Sequence, residues 1–307
     1  MKFFNSKETG QTMKKTQRAF TLVELLVVMA IIALLLGILL PALAKARKNA
    51  QQVKCATQVK QIHAGFITQA NDDPEQRYPT PGEINRLAVP GAGEIPGRGD
   101  LDESKNTHAN MYSACIAKNL FPATLLVSPA EISARVGACT NYDFNAYRPA
   151  DDKYWDGDTG TIAHFKITGN GSGNLQESAT SYAAMPLENN QRRRKEWRAS
   201  GNSKFVVFGN RGVKDGVIGP DYTNSVTLGI HGAKDEWEGN ICHNDNHVVF
   251  VRTFSPEGLD KVGTGTTAVF DNLFKKDDIT TQRDSILQIV TAITGSGTTA
   301  VHTPGWD

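Results

Sequence analysis

The chain has 307 residues, with 33 basic and 32 acidic side chains and a formal net charge of +1. That near balance excludes a global electrostatic pull toward nucleic acid or an anionic lipid surface. The length suits one or two domains with cores of their own, and the charge is unevenly placed: residues 1–19 carry Lys2, Lys7, Lys14, Lys15 and Arg18 against Glu8, a net +4, leaving −3 for the rest.

The first element is an unbroken apolar run from Phe20 to Leu40, interrupted only by Thr21, Glu24 and Gly37. Twenty-one residues at about 1.5 Å each make a rod of roughly 31 Å, the thickness of a bilayer's hydrocarbon core. A carboxylate inside such a rod costs about 2.5–3.5 kcal/mol at the membrane centre and less near its edge, which marks Glu24 as functional. Three ordinary readings compete. A secretory signal peptide has a basic flank and a small-x-small cleavage site, which Ala42-Leu43-Ala44 supplies, but an apolar core of only 7–15 residues. A plain membrane anchor accounts for the length but not for Glu24. A buried helix of a soluble protein needs apolar neighbours on every side, and little of the remaining chain offers them.

The residues Ala19-Phe20-Thr21-Leu22-Val23-Glu24-Leu25-Leu26 resemble the type IV prepilin cleavage and methylation motif of pilins and type II secretion pseudopilins. The resemblance implies cleavage between Ala19 and Phe20 by a prepilin peptidase, with methylation of the new Phe20 amine. It places Glu24 at the fifth mature position, where the family carries its filament-assembly glutamate, and Pro41 at the twenty-second, where many pilins kink. Ala19 departs from the family's usual Gly before the cut. The implied partners are homologous pilin or pseudopilin subunits, the peptidase, an inner-membrane assembly platform and the lipid bilayer. The implied location is a single-pass inner-membrane protein, N-terminus cytoplasmic, head periplasmic or extracellular in a filament. The positive leader favours that topology; Lys45, Arg47 and Lys48 oppose it.

The helix is expected to continue past Pro41, with a bend or local melting there because proline lacks the amide hydrogen and crowds the preceding turn. Leu43, Ala46, Ala50 and Val53 recur at helical steps, and Cys55, Val59, Ile62 and Phe66 continue the rhythm on a neighbouring stripe. The expected division is therefore a cleaved leader at 1–19, a transmembrane or filament-core helix at 20–43, an amphipathic half of the same helix at 44–70, and a globular α+β head at 71–307. Asn71-Asp72-Asp73-Pro74 ends the helix, and 78–100 is rich in Pro and Gly and reads as irregular. A second helix is expected over 107–120, terminated by Pro122, and Ser128-Pro129 reads as another helix start.

From residue 161 the pattern turns to short strands, at 161–168, 180–185, 204–208, 226–230 and 247–254, separated by Gly and Asn turns. The segment 284–294 has apolar residues at helical steps but a β-branched content that leaves strand equally open. Helix first and strands afterwards fit an α+β fold, pilin-like, with an antiparallel sheet in the head.

Cys55-Ala56-Thr57-Gln58-Val59-Lys60-Gln61-Ile62 and Tyr78-Pro79 are also similar to a pseudopilin-like family of Planctomycetes and Verrucomicrobia. That family ends on a His-x9-Asp-Gly signature; here His231 precedes Asp245 by a longer gap and Asn246 replaces the Gly. Asn tolerates the left-handed conformation, so a tight turn survives the change.

Other candidates for chemistry are few. His243, Asp245 and His247, with His231 and His164 available, are the densest set of metal ligands, set against a turn where polar residues are expected anyway. Asp151, Asp152, Asp156 and Asp158 form an acidic loop that calcium would suit, without an EF-hand spacing; no other cofactor is implied. The run Gln191–Arg198 is basic with Trp197 beside it, and reads as a solvated loop or subunit contact rather than a nucleic-acid site. Four cysteines allow three disulfide pairings, of which Cys115–Cys139 closes the modest loop, or buried thiols. No nucleophile elbow or phosphate-binding glycine loop is present, so the reading is a structural subunit and not an enzyme. The rival class is an exported binding module or metal-dependent enzyme on an uncleaved anchor.

Overall fold

The computed structural model describes residues 21–83, 87–89, 93–95, 102–140, 142–146, 178–231, 236–263, 268–276, 284–295 and 299–305. The leader, the strand expected at 161–168 and His164 lie outside them. Helix α1, Leu22–Asn71, is α-helical over all 50 residues, about 75 Å. Pro41 sits inside it, and the local melting expected there does not occur. The Leu- and Ala-rich sequence on both sides has high helix propensity and carries the helix across the one lost hydrogen bond.

The chain divides into two compact units, one up to Arg47 and one from Lys48. In the first, every residue from 21 to 47 is exposed, with Leu22 at 79% and Ile38 at 70%. Among the described residues α1 is the helix long and apolar enough to cross a membrane.

In the second unit the stripe that packs is the one starting at Cys55. Cys55, Val59, Ile62, Phe66 and Ala70 are fully buried, whereas Ala50 and Val53 stay exposed. Short pieces follow. Strands β1 (Leu87–Val89) and β2 (Gly93–Ile95) pair antiparallel within the stretch expected to be irregular. Helix α2, His108–Ala117, is capped by the Thr107 hydroxyl, which accepts from the Asn110 amide at 3.2 Å. It stops before Pro122, because Asn119 turns left-handed at φ 56°. The Leu120 amide then donates to the Cys115 carbonyl at 3.0 Å and the Asn119 amide to Ile116 at 2.9 Å, the pattern of a Schellman end. The helix expected at Ser128-Pro129 is a single turn, its Ser128 hydroxyl bonded to the Ala130 amide.

Strands β3 (Tyr182–Ala184), β4 (Val206–Asn210), β5 (Gly239–His243) and β6 (Val248–Val251) form an antiparallel sheet in that order. The fold is thus α+β, a long N-terminal helix followed by an antiparallel sheet. Every residue of β3, β4 and β5 is buried, so the sheet is covered on both faces and its strands lack a polar-apolar alternation. Tyr182, Ala184, Phe208 and Cys242 join the core built with α1 and α2. Ala183, Val206 and Ile241 join a second core with Trp237, Leu273, Phe274 and Leu287.

Between these strands lie α3 (Gln191–Glu196) and α4 (Pro220–Asn224). The strand expected at 226–230 is a 3-10 helix, Val226–Gly229, started by the Ser225 hydroxyl accepting from the Thr227 amide at 3.2 Å. Strands β7 (Lys261–Val262) and β8 (Val269–Phe270) make a small ladder. The ambiguous 284–294 segment resolves as β9, Ile289–Thr294, paired with β10, Val301–Gly305. Just before β9, Gln288 exchanges two backbone hydrogen bonds with Ala184, 3.0 and 3.1 Å, and so continues the sheet beyond β3.

Candidate functional site

The start of α1 is built by two residues acting on each other. The Thr21 hydroxyl accepts from the Glu24 amide at 3.2 Å, while Glu24 Oε2 accepts from the Thr21 amide and from its hydroxyl, both at 2.8 Å. This reciprocal arrangement is a capping box: it satisfies helix-end donors that have no intrahelical partner. It also gives the one carboxylate in the apolar run two donors of its own. Beyond it, Leu22, Leu25, Leu26, Met29, Ile32, Leu36 and Leu40 stand exposed in a helix with no polar face. Such a surface is stable only against lipid or against other apolar helices.

Residues 14–40 match the family model described as the prokaryotic N-terminal methylation motif. The N-terminal segment is prepilin-like. The match spans Ala19, Phe20 and Glu24; of these, Ala19 and Phe20 lie outside the described residues. No curated protein and no solved structure matches the chain.

Within the second unit, the part of α1 from Lys48 onward is fastened to the head by polar contacts as well as by the apolar stripe. Cys55 Sγ lies 3.3 Å from His231 Nε2 and 3.5 Å from both Tyr182 Oη and Asn210. Tyr182 Oη donates in turn to Gln58 Oε1 at 3.1 Å. One turn of α1 is thereby tied to β3, β4 and the loop of His231. The two segments whose residues resemble the second pseudopilin-like family therefore meet, 176 residues apart in sequence. Burial pushes the His231 imidazole down to about 4, so it is neutral at pH 7.

Further along, His63 Nδ1 bonds Asn246 Oδ1 at 3.1 Å. Asn246 is left-handed at φ 67°, the conformation expected of the residue standing where Gly would be. The β5–β6 hairpin tip thus docks on α1. His63 too is pushed down to about 4, by burial first. Phe66 sits at the centre of the fastening, its ring 5.5 Å from Trp197 and 5.6 Å from Phe208. None of Tyr182, Asn210 or His63 carried a sequence signal; Thr21 did, through the Thr-x-x-Glu spacing of a capping box.

The other expected sites fare differently. At the hairpin tip the rings of His243 and His247 are stacked, 4.0 Å apart at 9°, and His247 Nδ1 is paired with Asp245. Burial pushes His243 down to about 4. Parallel rings side by side do not converge on one ion, and among the described residues no three His, Cys, Asp or Glu side chains are grouped to hold a metal. Asp151, Asp152, Asp156 and Asp158 lie outside the described residues.

The Cys115–Cys139 disulfide is not formed. Cys115 is a thiol in the core between α1, α2 and the sheet, its pKa raised by burial, and Cys55 and Cys242 are buried thiols too.

The basic run is not a solvated loop. It folds as α3, capped by Asn190, and turns two arginines inward. The Arg192 guanidinium pairs with Asp284, both side chains fully buried, and its Nε donates to the Asp284 carbonyl at 2.7 Å. Arg193 grips Glu103 through both terminal nitrogens at 2.8 and 3.1 Å. Arg194 and Lys195 face solvent.

Proposed function

We propose that this chain is a structural subunit of a type IV pilus or type II secretion filament, cut between Ala19 and Phe20 by a prepilin peptidase, methylated on Phe20 and assembled through α1. The observation that carries the reading is the conjunction of the methylation motif at 14–40 with an α1 whose N-terminal run is apolar on all sides. A rod of that kind is stored in lipid and reused as the core of a helical bundle, where neighbouring rods replace the acyl chains. No new apolar burial drives the transfer, since lipid is as apolar as leucine, so a polar contact has to set the register. Glu24 is that contact. Before assembly its carboxylate is held by Thr21; on assembly it takes the methylated Phe20 ammonium of a neighbouring subunit, and two groups costly alone become acceptable together. The head from Lys48 onward would lie outside the cytoplasm and carry the subunit's specific contacts.

The test is Glu24→Ala in the producing cell. Membrane insertion should be retained, and filament yield by electron microscopy and shearing should fall at least tenfold. Normal filaments from that variant would remove the pairing.

A further inference from the structure

Four arginines and two glutamates line a cleft of about 170 Å³ between the segment after α1 and helix α3. That volume is roughly five waters' worth of space. Two of the arginines are already engaged: Arg193 with Glu103, and Arg77 with Asp73, Glu75 and Glu83 at 3.1, 3.6 and 2.5 Å. The cleft's own glutamates, Glu75 and Glu83, are thus both taken up by Arg77. The other two arginines are not neutralised by any described residue. Arg194 Nη2 donates only to the Asn189 side-chain amide, at 3.2 Å, and neither Arg194 nor Arg198 has an ion-pair partner among the described residues. Arg198 Nε is buried with no hydrogen-bond partner there. A buried donor without a partner costs about 1–3 kcal/mol, more when it is charged, and an incoming acceptor removes that cost.

We propose that this cleft is a binding site for a carboxylate group, held by Arg194 and Arg198. The two guanidiniums present N–H forks, and a planar carboxylate matches that geometry in bidentate fashion. Glu75 and Glu83 on the facing wall select among anions: they tolerate the single charge of one carboxylate group, the second carboxylate of a dicarboxylate staying in solvent, and repel phosphate, which brings up to two charges on one group. The site is separate from α1's apolar run, so its test needs no assembled filament.

The test is a titration of the full chain in detergent micelles with glutarate and, separately, with inorganic phosphate, read by the thermal midpoint and by calorimetry. Glutarate should bind saturably and phosphate at least fivefold more weakly. Arg194→Ala, at an exposed side chain whose loss leaves the fold alone, should weaken glutarate at least threefold, and R194A combined with R198Q at least tenfold. Glu83→Gln should tighten it, because it removes a facing charge and frees the Arg77 fork. Lys204→Ala, at an exposed side chain outside the cleft's lining, should change nothing. Absence of saturable glutarate binding, binding unmoved by Arg194→Ala, or phosphate binding as tightly as glutarate would each overturn the proposal.

Discussion

The two units of this chain reverse the usual distribution of residues. Up to Arg47 the apolar side chains are outside: Leu34 is 67% exposed and Ile38 70%. From Lys48 onward charged side chains are inside, with Arg192 and Asp284 fully buried and Arg211 bound to Glu131 at 2.6 Å with both nearly so. The first pattern shows that the helix is built for a solvent other than water. The second shows how a head with a modest apolar fraction closes a double-faced sheet, by neutralising buried charges such as these against partners from distant segments. Stability of the head should therefore respond to charge and protonation, while the N-terminal run should be indifferent to them in water and decisive for assembly.

The largest expected effect is on pH dependence. His63 and His108 are buried and held near 4 by desolvation, well below the ordinary 6.5. His108 is locked as a neutral ring, accepting from the Val290 amide at 2.8 Å and donating to the Met185 carbonyl at 3.2 Å. Because the unfolded chain takes up these protons first, stability is full above about pH 6.5, falls as pH drops through the window to about 4, and levels below it. Each ring contributes about 3 kcal/mol to that fall. Urea midpoints of the head between pH 7.5 and 4 should decline accordingly, and a flat profile would show the rings to be solvated.

Next in size are single substitutions in the head. Arg192→Ala strands Asp284 in the core and should cost about 3–5 kcal/mol, whereas R192M with D284L should recover most of it, since an apolar pair of similar volume avoids desolvation. Phe66→Ala should cost about 3–5 kcal/mol by opening a cavity among Tyr78, Phe121, Trp197 and Phe208. The smallest effect is the control from the other unit. Leu34→Ala, an equally apolar truncation, should shift the head's unfolding by less than about 0.5 kcal/mol. A large loss from Leu34→Ala would break the contrast between the units.

The first unit was legible because length, hydropathy and the Ala19–Leu26 motif are local features, whereas the Thr21–Glu24 cap went unread. Helix α1 and its buried stripe at Cys55, Val59, Ile62 and Phe66 follow from periodicity, its end at Asn71 from the Asn-Asp-Asp-Pro run, while the equally periodic stripe of Leu43, Ala46, Ala50 and Val53 stays exposed. The head was legible only in part. Strands β4 and β6 carry runs of Val and Phe and β3 lies in a segment that reads as strand, but β5, with Ile241 its one β-branched residue beside Gly239, Asn240 and His243, owes its place to its neighbours. The 226–230 segment reads as strand and folds as a 3-10 turn because Ser225 caps it and no described strand pairs with it. The inward turn of Arg192 and Arg193 could not be read from a basic run, since their partners Asp284 and Glu103 are about ninety residues away on either side. For the same reason the cleft at Arg194 and Arg198 emerges only when the neighbouring charges are seen to be spent.

The central claim, that α1 is an assembly helix released from a leader, is tested most directly by mass spectrometry of the N-terminal peptide of the protein purified from its native membrane. The account predicts a chain beginning at Phe20 with a methyl group on its amine. An intact leader, or a chain beginning at Lys45 after cleavage behind Ala42-Leu43-Ala44, would contradict it.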